Sequence, residues 1–583
     1  MAAAVTGMGI VCAIGNDGAG VLNALREGRT GIGRMEHLPS SHKDLPVGEV
    51  KMTNGELKAA LGVAEDAVVS RTTLLGAYAI RQALADAGLE AGGLKGRRVA
   101  LVSGTTVGGM DVTERLFSKL EADDTLLRHV CQHDCGSGTR DMATLCGLEC
   151  EVCTISTACS SALNAIMVGC DMLAGGEADV VLAGGAEALS LFHLNGFNTL
   201  MILDHGQCRP FDKCRAGLNL GEGAAFVVLE RGDGDGRAKA YVCGGGNRCD
   251  AFHQTASSDD GEGAYLAMTD ALREAGMKAE EVRYVNAHGT GTPNNDPSES
   301  AALRRVFGNG MPAVSSTKGF TGHTTSASGA IETVISILAM RHGIVPRNLG
   351  WQEADEACIT PSPGEEGVTL NNVLCNAFGF GGNDSSIVLC REPRRAATPT
   401  QGGYEAEVAA DIVIDNAEQL KDSREYMTPM EARRMGRLMK AATMTSLMAL
   451  RESGVETPDA IVTATAYGML ETSEKFLKDI CDNGEELLKP TLFMQSTHNT
   501  IGSAIAIRTR CHGYNITYSQ GADSLAWALR DARRLIATGK ARTVLVGCHD
   551  EATPLFQDIC RRMNMEPPRE LYSRSMVLRR RGS

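Results

Sequence analysis

Hydrophobic and polar positions alternate between two kinds of element along this chain. Residues 152–157 form a short β-branched run that reads as a strand. Residues 162–173 repeat apolar side chains at helical spacing, with small residues on the packing side. Between them, Ser156-Thr157-Ala158-Cys159-Ser160-Ser161 falls on a sharp strand-to-helix turn. The first free N–H groups of the helix would point at the Cys159 side chain there. A thiol with an ordinary pKa near 8.5 is expected to be acidified by such a helix terminus. Two further strand-like runs end in small-residue loops that carry histidine. One is Val285-Asn286-Ala287-His288-Gly289-Thr290-Gly291-Thr292-Pro293, with Asp296 and Glu299 just beyond. The other is Ser315-Ser316-Thr317-Lys318-Gly319-Phe320-Thr321-Gly322-His323, before a helix that begins near Ser326 and carries Glu332. A glycine loop, Asn376-Ala377-Phe378-Gly379-Phe380-Gly381-Gly382-Asn383, lets backbone N–H groups approach a ligand closely.

The same pattern recurs after residue 403. Arg71 stands eighteen positions before Leu89 (71 to 89), in a helix ending Ala87-Gly88-Leu89. Arg437 stands equally far before Val455 (437 to 455), in a helix ending Ser453-Gly454-Val455. Thr543-Val544-Leu545-Val546-Gly547-Cys548 matches Val180-Val181-Leu182-Ala183-Gly184-Gly185. Residues 516–525 line up with 155–163 within one gap, and that register places Gly521 where Cys159 stands. The Pro-, Gly- and polar-rich stretch 393–403 reads as a linker.

Composition narrows the function. A formal net charge of −14 argues against a broad phosphate-binding face, and 4% aromatics against a base-stacking surface, so no nucleic-acid partner is expected. No run is long and apolar enough to span a bilayer. Nineteen cysteines without a signal-like N-terminus read as reduced thiols in a cytoplasm. Cys131, His133, Cys135, Cys146, Cys150 and Cys153 have zinc-ligand chemistry but fit no standard spacing, so no metal is expected.

The four blocks around Cys159, His288, Lys318–His323 and Phe380, in this order over residues 1 to about 392, resemble those of the β-ketoacyl-acyl-carrier-protein synthases. These are decarboxylating condensing enzymes of fatty acid and polyketide assembly, and this chain is closest to the elongating type. The resemblance implies an α/β, thiolase-like five-layer αβαβα fold of two similar halves, residues 1–236 and 237–392. Residues 404–583 resemble small ketosynthase-like proteins made of the N-terminal half alone, found beside ketosynthases in aryl polyene gene sets. This segment includes their Ser496-Thr497-His498-Asn499-Thr500 element.

By that resemblance Cys159 is the nucleophile, and His288 and His323 are neutral imidazoles that stabilise the enolate left by decarboxylation. Lys318 balances charge beside them, with Glu332 as its partner, and Asp296 gives structural support. The N–H groups of Cys159 and Phe380 form the oxyanion hole. Phe197 and Phe380 gate substrate entry, Thr290 and Thr292 bind the pantetheine arm, and Met110 and Thr113 wall the acyl tunnel. No cofactor is implied. The partners implied are acyl-carrier protein, in acyl and malonyl forms, and a second copy in a homodimer through the first half; a heterodimer with another ketosynthase-like chain is the alternative. Arg71, Arg81 and Arg209 are candidates for a carrier-docking patch. The third unit should be non-catalytic, comparable to a chain-length factor. Alone it would expose the inner face of its central helix and would have to cover it. The rival reading is an assembly scaffold that binds carrier protein with little turnover.

Overall fold

The computed structural model describes residues 2–232, 236–394 and 403–582. Most of the expected linker, 395–402, therefore lies outside the described residues. Fifteen strands join into one mixed sheet, and its order explains the architecture. The first five are β1 (Ala3–Cys12), β2 (Val99–Gly104), β3 (Glu151–Ile155), β4 (Val180–Glu187) and β5 (Gly223–Arg231). They lie in the order 3-2-4-5-1. The next group is β6 (Ala240–Cys249), β7 (Tyr284–Asn286), β8 (Ala313–Ser315), β11 (Asn372–Gly379) and β12 (Asn383–Cys390). A separate two-stranded ribbon of β9 (Ile344–Val345) and β10 (Glu365–Glu366) interrupts it in sequence. The last group is β13 (Ala406–Ile414), β14 (Ala460–Ala464), β15 (Tyr514–Tyr518), β16 (Thr543–Glu551) and β17 (Leu571–Arg580).

Read from one edge, the second group runs 8-7-11-12-6 and the third 15-14-16-17-13. Numbered within its own group, each is again third, second, fourth, fifth, first. The parallel and antiparallel pairings repeat as well. One α/β unit thus occurs three times, a mixed α/β architecture. Helices Ser161–Ala174 and Ser328–His342 pack on each other between the first two units, where every position of the first from Ser161 to Ile166 is buried. Burial on all sides requires a helix that is apolar or small all round, and this one is.

The third unit has no fourth to pack against. Its matching helix, Ser524–Ala537, buries Trp527, Ala528, Leu535 and Ile536 but leaves Ala526 and Arg533 exposed. The face expected to need an apolar cover is instead polar. Arg530 pairs with Glu151 at 2.6 Å and Glu177 at 2.5 Å on the first unit, and Lys540 reaches Asp171 and Glu274. The unit also closes an edge. Ser156 N–H donates to the Thr517 carbonyl at 2.9 Å and Ser519 N–H to the Thr154 carbonyl at 2.9 Å, joining β15 antiparallel to β3. The chain's own third unit therefore occupies that edge of β3.

The repeat's register differs by one residue from the sequence alignment. Thr157 N–H donates to Ser161 Oγ at 2.8 Å, and Gln520 N–H to Ser524 Oγ at 2.8 Å. The residue after each donor is left-handed, Ala158 at φ 52° and Gly521 at φ 60°. Gly521 therefore matches Ala158, and Cys159 matches Ala522, which carries no nucleophilic atom.

Candidate active site

Cys159 sits in a short turn (Ala158–Ser160) at the head of helix Ser161–Ala174, buried at 5% exposure. Its Sγ lies 3.0 Å from His323 Nε2, and the N–H groups of Phe380 and of Cys159 itself reach the sulfur. The acidified thiol expected from the helix terminus is not what the site produces. Burial pushes the thiol up to about 12, outweighing the Lys318 charge and both N–H groups. The Cys159 thiol is therefore neutral and lies against the His323 imidazole.

The two histidines meet edge to face, ring centroids 5.3 Å apart. Burial first, then the Lys318 ammonium, holds both well below the ordinary imidazole range, so both are neutral. Lys318 Nζ lies 3.4 Å from His288 Nδ1 and 2.5 Å from Glu332 Oε1. An ammonium facing Nδ1 leaves that nitrogen as acceptor, so the His288 proton sits on Nε2. Burial raises the Glu332 carboxyl; Lys318 and the Ser328 hydroxyl, at 3.2 Å, oppose the rise.

Glu299 holds the His288 loop from behind, accepting from His288 N–H at 2.9 Å and Gly289 N–H at 2.7 Å. Asp296 accepts from Phe211 N–H at 2.7 Å and from Gly291 N–H, so it shapes the loop without touching the histidines. Thr290 and Thr292 are buried with their hydroxyls 2.9 Å apart.

Phe197, on helix Leu191–Thr199, stacks on Phe380 at 5.5 Å between centroids. A third ring, Phe493 from the repeated unit, packs on Phe197 at 5.3 Å. Met110 joins that cluster, while Thr113, one helical turn on, lines a largely apolar cavity of about 290 Å³ between the first and third units. Leu470, Ser473 and Leu477 face it from the third unit, with His498 and Phe556.

The proposed basic patch does not assemble. Arg71 is buried against Glu222 at 2.7 Å, Arg81 donates to the Leu61 and Leu145 carbonyls, and Arg209 pairs with Asp204 at 3.4 Å. Among the described residues one group of three or more His, Cys or carboxylate ligand atoms gathers within 4.8 Å: Cys159, His288 and His323. The adjacent Lys318 ammonium suits this trio to anionic intermediates, and a dication there would face that charge. Of the cysteine run, Cys146 and Cys153 lie in separate core clusters and Cys135 lies by His498.

Sequence reasoning passed over Phe493 and Glu187. The buried Glu187 carboxyl accepts from Thr106 N–H and Ser326 Oγ, both at 2.6 Å, and burial raises it to about 7. Asp550 repeats the arrangement, accepting from Thr465 Oγ1 at 2.7 Å and Ala466 N–H at 2.8 Å. A carboxylate at the end of the fourth strand of both units was the available signal.

Comparison with known proteins shows the family. Residues 2–234 match the beta-ketoacyl synthase N-terminal domain and residues 239–352 its C-terminal domain. The chain belongs to the β-ketoacyl synthase family. Residues 407–578 match a second beta-ketoacyl synthase N-terminal domain. The 3-oxoacyl-[acyl-carrier-protein] synthase 2 of Coxiella burnetii is 33% identical over 412 residues, covering 66% of this chain and 98% of that one. Nodulation protein E of Rhizobium meliloti is 34% identical over 409 residues, with the same coverage. Among solved structures, the ishigamide ketosynthase/chain length factor aligns at TM-score 0.62 and 29% identity, over 67% of this chain and 98% of that one. The PfaC keto synthase-chain length factor aligns over 99% of this chain and 78% of that one, at TM-score 0.78 and 17% identity, a likeness of fold. Among the described residues no helix is long and apolar enough to cross a membrane.

Proposed function

We propose that this β-ketoacyl synthase joins an acyl group held on Cys159 to malonyl-acyl-carrier protein, giving β-ketoacyl-carrier protein and CO2. The observation that carries it is the neutral Cys159–His323–His288 cluster with Lys318 behind it. His323 Nε2 takes the thiol proton as sulfur attacks the acyl thioester and passes it to the departing carrier thiolate. The N–H groups of Cys159 and Phe380 receive the oxyanion. Malonyl thioester then loses CO2, and the enolate oxygen accepts from His288 Nε2–H, beside the His323 ring. The carbanion attacks the acyl carbonyl, and collapse of the tetrahedral intermediate expels the Cys159 thiolate, which takes a proton from solvent to restore the thiol. Thr290 and Thr292 hold the pantetheine arm.

The chain is organised as 1–236, 237–392 and 404–583, and the third unit serves as a built-in, non-catalytic partner comparable to a chain-length factor. Support comes from its pairing with β3 and from the cavity it shares with the first unit. An intrachain pairing takes the place of the family's dimer contact, and growing chains extend into that cavity, suiting a specialised polyene-type product. The test compares product lengths, with octanoyl- and malonyl-acyl-carrier protein, between the full chain and a truncation ending at Arg395. The proposal expects the truncation to lose solubility, rate or length control. A soluble truncation with unchanged rate and product length contradicts it.

A further inference from the structure

The turn that carries the Phe380 N–H is made almost entirely of glycine. Gly379 ends β11, and Gly381 and Gly382 follow at φ 85° and 72°. Such a turn gains little from its own side chains and is held by what anchors it. On one side Gly381 N–H donates to the Gln254 carbonyl at 2.7 Å and Gly382 N–H to the Gly379 carbonyl at 3.0 Å. On the other side the anchor belongs to the third unit. Asn499, 1% exposed at the start of helix Thr500–Thr509, donates its Nδ2–H to the Phe380 carbonyl at 2.8 Å. The same helix lies so close that a methyl group on Gly381 would stand 2.0 Å from Ser503 Oγ. Phe493, six residues earlier, packs on Phe197, whose ring stacks on Phe380. One short stretch of the third unit therefore holds Phe380 at both its carbonyl and, through Phe197, its ring.

We infer that Asn499 of the third unit is a positioning residue for the oxyanion hole: by fixing the Phe380 carbonyl it aims the Phe380 N–H at the carbonyl carbon's oxygen on Cys159. This rests on the condensing reading and goes beyond a length-setting role, because it makes the non-catalytic unit part of the acyl-transfer machinery. The equivalent helix on the first unit is Cys135–Leu145, and its matched turns, Ser137 N–H on the Asp134 carbonyl and Thr500 N–H on the Thr497 carbonyl, place Gly136 opposite Asn499. Glycine has no side chain to donate, so of the two positions only the third unit's can anchor a carbonyl in this way.

The two half-reactions separate the inference from a general structural effect. Acyl transfer to Cys159 builds a tetrahedral oxyanion in the Phe380 and Cys159 N–H groups, whereas decarboxylation builds its charge beside His288 and His323. Loss of a whole oxyanion donor slows catalysis by ~100–1000-fold, and a donor left in place but misaimed falls below that. Asn499→Ala in the full chain is expected to slow single-turnover transfer from octanoyl-acyl-carrier protein by ~10–100-fold. Release of CO2 from malonyl-acyl-carrier protein, by enzyme already acylated to completion, is expected to stay within ~3-fold of wild type. Asn499→Asp, equal in volume but without the donor, should behave alike, and carries the test if the alanine variant does not fold. Asn499→Gln, which keeps an amide, should recover part of the transfer rate. Transfer within ~3-fold of wild type in both Asn499→Ala and Asn499→Asp overturns the inference, as does an equal fall in both half-reactions. If wild type itself takes up no acyl group, the condensing reading fails first.

Discussion

Lys318 and Glu332 form the most deeply buried ion pair of the site, with side chains 1% and 2% exposed and 2.5 Å between Nζ and Oε1. Removing one member strands the other charge in a low-dielectric interior, which costs about 3–5 kcal/mol. Replacing both with apolar groups of similar size leaves no stranded charge and is often close to neutral. Lys318→Met and Glu332→Leu alone should therefore each destabilise strongly, and the double variant should recover most of the loss. The pair lies within a unit of 150–250 residues, where 1 kcal/mol shifts the melting temperature by about 2–4 °C. Each single variant should fall by roughly 6–20 °C at the transition that reports the second unit, and the double variant by less than about 5 °C. Scanning calorimetry reads the stability, and CO2 release from malonyl-acyl-carrier protein reads the chemistry. Decarboxylation should stay low in the double variant, because His288 Nδ1 has lost the ammonium that sets its tautomer. A double variant as unstable as the sum of the singles would refute the reasoning. So would one that regains full decarboxylation along with its stability.

Burial holds the Cys159 thiol up at about 12, so its thiolate fraction should climb ~10-fold per pH unit from about pH 7 to about pH 10. Peptide-resolved iodoacetamide kinetics should show that slope on Cys159; levelling off below about pH 9 would mean an acidified thiol. With both histidines held well below their usual range, decarboxylation should be flat between about pH 8 and about pH 6. A loss centred near pH 6.5 would contradict neutral burial. A methyl group on Gly196 would stand 2.1 Å from the Phe493 ring. Gly196→Ala should destabilise by about 1–3 kcal/mol, and Gly196→Ala with Phe493→Leu should regain part of it in the same calorimeter. In the shared cavity, Ser473→Phe should shorten the products and Phe556→Ala lengthen them, as read by mass spectrometry of released chains.

What the amino-acid sequence makes legible here is local. The turn at Cys159 is visible because a strand and a small-residue helix flank it, and the histidine loops because small residues follow short strands. The repeat is visible through matched helix ends and the matched fourth strand. Its register slips by one because the alignment has no sign of which residue turns left-handed, and the two copies use Ala158 and Gly521 for it. The thiol's acidity is misjudged for a similar reason. The helix terminus is local, while the burial that overrides it is built with residues distant in sequence, His323 and Phe380 among those that reach the sulfur. The roles of Phe493 and Asn499 arise only once β15 pairs with β3, a junction carried by two backbone hydrogen bonds and invisible to periodicity. The polar face of the third unit's central helix is legible in its sequence. Arg530 and Arg533 stand where the first unit's equivalent helix carries Met167 and Cys170, which marks a face that meets charge or water.

The central claim is that Cys159 carries the growing chain in an active site that this one polypeptide completes. Intact-protein mass spectrometry tests it most directly, with octanoyl-acyl-carrier protein and then malonyl-acyl-carrier protein offered to wild type and to Cys159→Ala. The account predicts an octanoyl mass gain on wild type alone. On adding the malonyl donor that gain should disappear, with CO2 and a β-ketoacyl-carrier protein released. A folded wild-type chain that takes up no acyl group, or a Cys159→Ala chain that still condenses, would contradict it.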